Sequence, residues 1–179
     1  MTVATQWGVD AAERSAAYGC DALSPAPAEQ WFRGVSVRAP RDVVFRWLCQ
    51  LRVAPYSYDW VDNGGRRSPR TLTPGVEQLE IGQRWMTIFT LAAFEPGESL
   101  TFRMTAPAAI KAFGPLTLTY ALSGDTRLIV KMNLGVHGDS PAHWTRRRLL
   151  AWPDLVMMHR QLTNLRDLAE HSVSGPQRT

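Results

Sequence analysis

Tyr120, His159 and the Tyr58–Asp59 pair are the residues of this chain whose types could move a proton. A phenol, an imidazole and a carboxyl are groups that general acid–base chemistry uses. Each also has a plainer use. Asp59 opens a short helical stretch, where a carboxylate interacts favourably with the helix dipole while the aromatics beside it pack. His159 borders an apolar helical stripe, a position more often packed or half-exposed than catalytic. His137, His143 and His171 share no ligand spacing with each other or with a carboxylate, so no metal site is predicted, and no cofactor. Serine nucleophiles need an elbow such as G-x-S-x-G, which is absent, and Gly124-Asp125 reads as a hairpin turn. "NGGRR" (63–67) follows a helix rather than a strand and makes no phosphate loop. Cys20 and Cys49 fit no redox or metal spacing, and Cys49 lies among apolar neighbours, where a thiol is inert.

Composition narrows the class. At 179 residues, 45% hydrophobic and 20% charged, the chain suits one globular domain and excludes collagen, coiled coil and general disorder. The net charge of +4 is nearly all arginine, scattered among acids except for Arg66, Arg67, Arg70 and the triplet Arg146, Arg147, Arg148. That pattern describes a solvated surface better than a nucleic-acid footprint, so no nucleic-acid partner is expected. The triplet keeps a peripheral contact with a phosphate head group or a partner open. No run approaches the ~20 apolar residues of a membrane span, and no leader is visible, so a cytoplasmic location is expected. Oligomeric state is not legible.

The elements that would position these groups follow from period. Residues 1–30 read as an extension wrapping the domain, with Trp7 as its anchor. A strand is expected in 31–39, where Val35 and Val37 alternate with Ser36 and Arg38. Pro40 then opens a helix on Val44, Trp47, Leu48 and Leu51, bounded by Pro55, and a second short helix in "SYDWVDNGG" ends at Gly64 or Gly65. After a polar loop, 83–94 is expected as one long strand, and "PGE" at 96–98 turns the chain back. Leu100, Phe102 and Met104, then Leu116 to Leu122, then Leu128 to Leu134 alternate with Thr101, Arg103, Thr117, Thr119, Lys131 and Asn133: an antiparallel sheet with one apolar and one wet face. Ser140-Pro141 starts a terminal helix that Pro153 interrupts or restarts, and Leu155, Met158, Leu162, Leu165 and Ala169 form its stripe. Sheet face and helix stripe must cover each other, which gives an α+β domain over 31–171 in which a curved antiparallel sheet wraps a long C-terminal helix, with a loose tail over 172–179.

The segments "VSVRAPRDVVFRWLCQL", "YSYDWVDNGG", "LEIGQRWMTIF" and "GDTRLIVKM" resemble the SRPBCC superfamily, START-related and polyketide-cyclase-like proteins with the helix-grip fold. The resemblance runs from about Trp7 to about Glu170, and no catalytic motif of a characterised cyclase aligns. Pattern alone favours a solid core between sheet and helix; the resemblance implies a retained cavity. Its walls would be Tyr58, Trp60, Trp85, Thr87, Phe89, Phe102, Met104, Leu118, Tyr120, Val130, Met132, Met157, Met158 and Leu162. Polar handles are few: the Tyr120 and Thr87 hydroxyls, with Tyr58, Asp59, His159, Gln161 and Asn164 towards the edges. Apolar walls with sparse polar groups suit a small hydrophobic ligand, a lipid, isoprenoid or polyketide-like compound. The alternative is a cyclase or dehydratase acting on such a ligand through Tyr120, His159 or Asp59.

Overall fold

The computed structural model describes residues 2–62, 64–136 and 140–174. The chain opens with β1 (Gln6–Trp7), α1 (Ala11–Ser15) and α2 (Gly19–Leu23), then runs through β2 (Glu29–Ser36), α3 (Arg41–Cys49) and α4 (Asp59–Asp62). Strands β3 (Arg84–Trp85), β4 (Phe89–Glu95) and β5 (Ser99–Met104) follow, then α5 (Pro107–Phe113), β6 (Leu116–Ser123), β7 (Arg127–Leu134) and α6 (Pro141–Ser174). The strands make one open sheet in the order β1-β2-β7-β6-β5-β4-β3. Every pairing is antiparallel except β1 with β2, so the sheet is mixed.

The inner face is the apolar one. Trp31, Val35, Leu100, Phe102, Leu118, Tyr120, Leu128, Val130 and Met132 share a single core with Val44, Trp47 and Leu48 of α3 and with Ala151, Met158, Leu162, Leu165 and Ala169 of α6. The α6 residues recur at three and four, so one stripe of the helix meets the sheet. The Trp47 indole N–H donates to Ser172 Oγ at 2.9 Å, tying α3 to the end of α6. Helix α6 therefore continues through the start of the segment expected as a loose tail. It also runs unbroken through Pro153, contrary to expectation. The carbonyl that this proline deprives of a helical donor belongs to Leu149, on the side of the helix that faces water, so solvent can satisfy it. Among the described residues, no helix is long and apolar enough to cross a membrane.

Three further departures from the sequence reading have clear causes. The stretch 83–94 is not one strand but the hairpin of β3 and β4, folded at 86–88 with Met86 and Thr87 at φ 46° and 66°. Side-chain-bearing residues seldom adopt that region, which is why the turn carries no glycine signal. Helix α5 was marked only by Pro107 at its first turn and Gly114 (φ 84°) at its end, with too few residues between to show a period.

The outer face is not wet. Helix α2 lies across it, and Thr101, Thr117, Thr119, Lys131 and Asn133 are buried. Much of the cover is polar: Cys20 N–H donates to Thr119 Oγ1 at 2.8 Å, and Lys131 Nζ and Asn133 Nδ2 reach the Asp21 carboxylate at 2.7 and 3.0 Å, while the Lys131 ammonium also lies over the Tyr18 and Phe32 rings. Gly19 allows the approach, since a Cβ there would stand 2.3 Å from Thr101 Oγ1. Beside it, the start of α1 forms a capping box between Asp10 and Glu13. The Glu13 carboxylate also accepts from Arg127 Nε at 2.6 Å and Nη2 at 2.9 Å, joining α1 to β7.

The Arg127 guanidinium holds the Glu13 carboxyl below its ordinary value, against the opposing effect of burial. A depressed carboxyl stabilises the fold above its unfolded pKa and loses that contribution as pH falls through its folded one. Glu13→Gln is expected to lower the melting temperature by about 2–4 °C at neutral pH. The gap between variant and parent should close in acid, below about pH 4; thermal melts across pH check this, and a gap that persists there refutes the pairing.

Candidate ligand site

At the centre of the inner face stands Tyr120, opposite Val130 on β7 and Leu100 on β5. Its hydroxyl donates to Gln161 Oε1 of α6 at 2.6 Å, and Met158 Sδ lies 4.0 Å away. Gln161 Nε2 in turn donates to the Pro55 carbonyl at 2.6 Å, with Met86 Sδ at 3.9 Å. Burial drives the Tyr120 phenol far above its ordinary pKa, so it is a neutral donor and not a base. Phe102 stacks between Tyr120 and Trp85, with ring centroids 6.0 and 5.1 Å apart. Next to this layer Asn164 Nδ2 donates to the Tyr56 carbonyl, and the Tyr56 hydroxyl donates to that of Pro69. Those bonds hold the 55–69 loop against α6.

A charged pair completes the interior. Arg33 of β2 is fully buried, and its Nη2 donates to Asp154 Oδ2 of α6 at 2.9 Å and to the Ala4 carbonyl at 2.8 Å. Asp154 keeps 29% of its side-chain surface exposed, so the pair reaches from the core to the rim. Burial pulls Arg33 down and pushes Asp154 up, each opposed by the charge of the other. Among the buried donors that find no acceptor among the described residues, Arg33 Nε and Trp85 Nε1 lie on the inner side of the sheet. Each such group costs about 1–3 kcal/mol.

Sequence reasoning did not single out Arg33 or Asp154. The signal was available: Arg33 falls in phase with Trp31 and Val35, and Asp154 neighbours Leu155 within the apolar stripe. A charge in phase with a core face is informative because burial penalises it.

The structure brings Trp85, Phe102, Leu118, Tyr120, Val130, Met132, Met158 and Leu162 together, all buried. Met104 is buried further along β5, and Tyr58, Phe89 and Met157 are half-buried. These side chains close on one another: Trp85, Phe102, Val130 and Leu162 keep no exposed surface, so none borders a void that admits a water molecule. Three candidates lie outside the interior. Trp60 is 79% exposed, because α4 projects from the loop after α3. Thr87 is exposed on the β3–β4 turn that replaced the long strand. His159 is exposed on α6, its ring 4.5 Å from that of Trp7.

Asp59 is half-buried, and both its oxygens accept from Ser68, one from the backbone N–H and one from the hydroxyl. It staples a loop. Of the arginine triplet, Arg147 is 4% exposed and turned inward towards Glu29, Nε to Oε1 at 3.5 Å, which removes it from any surface contact. Burial raises the Cys49 thiol to about 12, consistent with an inert sulfur. Among the described residues no three His, Cys, Asp or Glu gather as metal ligands, and His137 lies outside them. A cleft of about 240 Å³ opens elsewhere, between α5 and the first turns of α6, lined by Ile110, Lys111, Phe113, Pro115 and Arg146 among others.

No protein-family model and no curated protein matches the sequence. Solved structures do match the architecture. Protein MLL2253 from Mesorhizobium loti superposes with a TM-score of 0.53 at 15% identity, over 80% of this chain and 98% of that one. The di-domain ARO/CYC StfQ from the steffimycin biosynthetic pathway gives 0.51 at 11% identity, over 82% of this chain. The di-domain ARO/CYC BexL gives 0.51 at 16% identity, over 79%. This chain has the helix-grip fold. It spans about half the length of the two di-domain proteins, 52% and 50%. In helix-grip terms, Tyr120 and Gln161 join the gripping sheet to the gripped helix at mid-height.

That junction is testable. Gln161→Leu leaves both the Tyr120 hydroxyl and the Pro55 carbonyl without their partner and is expected to cost about 2–4 kcal/mol in urea unfolding. Tyr120→Phe combined with Gln161→Leu should cost less than the two single changes added together, because they remove one shared bond; strict additivity refutes the coupling.

Proposed function

We propose that this protein binds a small hydrophobic molecule carrying hydrogen-bond acceptors, a lipid, isoprenoid or polyketide-like compound, between the sheet and α6. The observation that carries this reading is Trp85 Nε1, a buried donor without an acceptor among the described residues, beside the Phe102 and Tyr120 rings, with Arg33 Nε a second such donor further along the sheet. An oxygen of the ligand would satisfy a donor that the closed protein leaves unmade, while its apolar part gains about 25 cal/mol per Å² of buried surface. Because the layer is closed, entry requires side chains to move. Met86 and Met158, unbranched and packed on the Tyr120–Gln161 bond, are the ones able to repack. The StfQ and BexL structures, described as ARO/CYC proteins, share this fold.

An enzyme of the cyclase or dehydratase kind is the second reading, favoured by the buried Tyr120 hydroxyl, which can donate a proton, facing the helix that also carries the Asp154 carboxylate. His159 and Asp59 would have no part in it, being outside and stapled respectively.

Native mass spectrometry of the purified chain is expected to show a bound organic molecule that solvent extraction removes. In titrations with the fluorescent hydrophobe anilinonaphthalene sulfonate, Trp85→Phe should weaken binding of the extracted compound, read by displacement, roughly two- to tenfold. A bare chain mass together with no probe uptake would overturn the proposal. A binder returns the compound unchanged and only loses affinity in Tyr120→Phe; an enzyme returns a ring-closed isomer or, after dehydration, a product lighter by one water, and Tyr120→Phe stops the conversion.

A further inference from the structure

The first half of α6 carries an outward face that none of the described residues covers. Trp144, Leu149, Trp152 and Val156 are 51%, 72%, 59% and 51% exposed. At 100° per residue, Leu149, Trp152 and Val156 fall within about 60° of one another, with Arg148 on one flank and Arg160 on the other. Trp144, Arg148, Trp152 and Val156 follow at intervals of four, a stripe about 18 Å long. The Arg148 guanidinium lies over the Trp144 ring, 5.4 Å from its centroid, and so stays beside the apolar face. Between Pro141 and Arg160 the only acid is Asp154, and it is turned inward to Arg33.

Two tryptophans among aliphatic side chains, with Arg148 between the indoles, Arg160 at one edge and no outward carboxylate on this stretch of helix, have the chemistry of the boundary between lipid head groups and acyl chains. Indole rings sit at that boundary, and each arginine near an anionic surface contributes about a factor of five in affinity. A second copy of the chain fits the face poorly, since a two-fold contact would set Arg148 and Arg160 against arginines of its partner. We infer that this face of α6 docks on an anionic phospholipid bilayer, lying in the plane of the membrane surface with Trp144 and Trp152 at head-group depth. The docking does not require the interior ligand, and a failure of either proposal leaves the other standing.

Flotation of the full chain with phosphatidylcholine vesicles, and with vesicles containing phosphatidylserine, tests it. Binding is expected only to the anionic vesicles, and it should fall with added salt. Arg148→Glu changes two charge units and should lower affinity about twenty-five-fold. Brominated phosphatidylcholine mixed into the anionic vesicles should quench the tryptophan emission of the parent, and clearly less that of Trp144→Phe/Trp152→Phe. Absence of binding to anionic vesicles overturns the inference, as does binding that Arg148→Glu leaves unchanged. Self-association in sedimentation that Arg148→Glu abolishes, without vesicle binding, would assign the face to a protein contact instead.

Discussion

Both faces of β5, β6 and β7 are withdrawn from water, and by different chemistry. On the inner side the exclusion is hydrophobic: aliphatic and aromatic residues of the strands meet the stripe of α6 and the face of α3. On the outer side it is a lattice of hydrogen bonds and ion pairs, in which threonines, Asn133 and Lys131 are answered by α2. The two covers act on opposite ends of the same side-chain alternation, so a slip of one residue in strand register would present lysine to the core and leucine to Asp21. Register is therefore fixed from both sides, and with it the height at which Tyr120 meets Gln161.

The interior is more polar than a plain core requires. Tyr120, Gln161, Arg33 and Asp154 could be replaced by hydrocarbon of similar volume at little thermodynamic loss, and buried ion pairs are often neutral or worse for stability. Their arrangement also leaves donors unmatched, which a fold selected for stability alone would avoid.

Much of the architecture was legible because alternation and helical period are direct images of burial. The strands from Leu100 to Leu134, the cap at Ser140-Pro141 and the stripe from Leu155 to Ala169 all appear where those patterns place them. What period cannot report is which surfaces meet. Thr117, Thr119 and Lys131 look solvated in any local window, and only the docking of a segment about a hundred residues away buries them. The β3–β4 turn was hidden for another reason: Met86 and Thr87 occupy conformations that their types disfavour. In the site, the wall residues on β5, β6 and β7 follow from alternation, whereas Arg33 and Asp154 had to be read as exceptions to it.

The clasp of α2 on the outer face joins residues far apart in the chain: Asp21 and Lys131 are separated by 110 positions. During synthesis at about 5–20 residues per second, the clasp emerges from the ribosome roughly 5–20 s before the strand it must bind. Over that interval the earliest part of the polypeptide has charged and hydroxyl-seeking groups but nothing to receive them. Such long-range closure slows folding and lengthens exposure to wrong partners. The first two dozen residues thus wait for a strand completed only at Leu134.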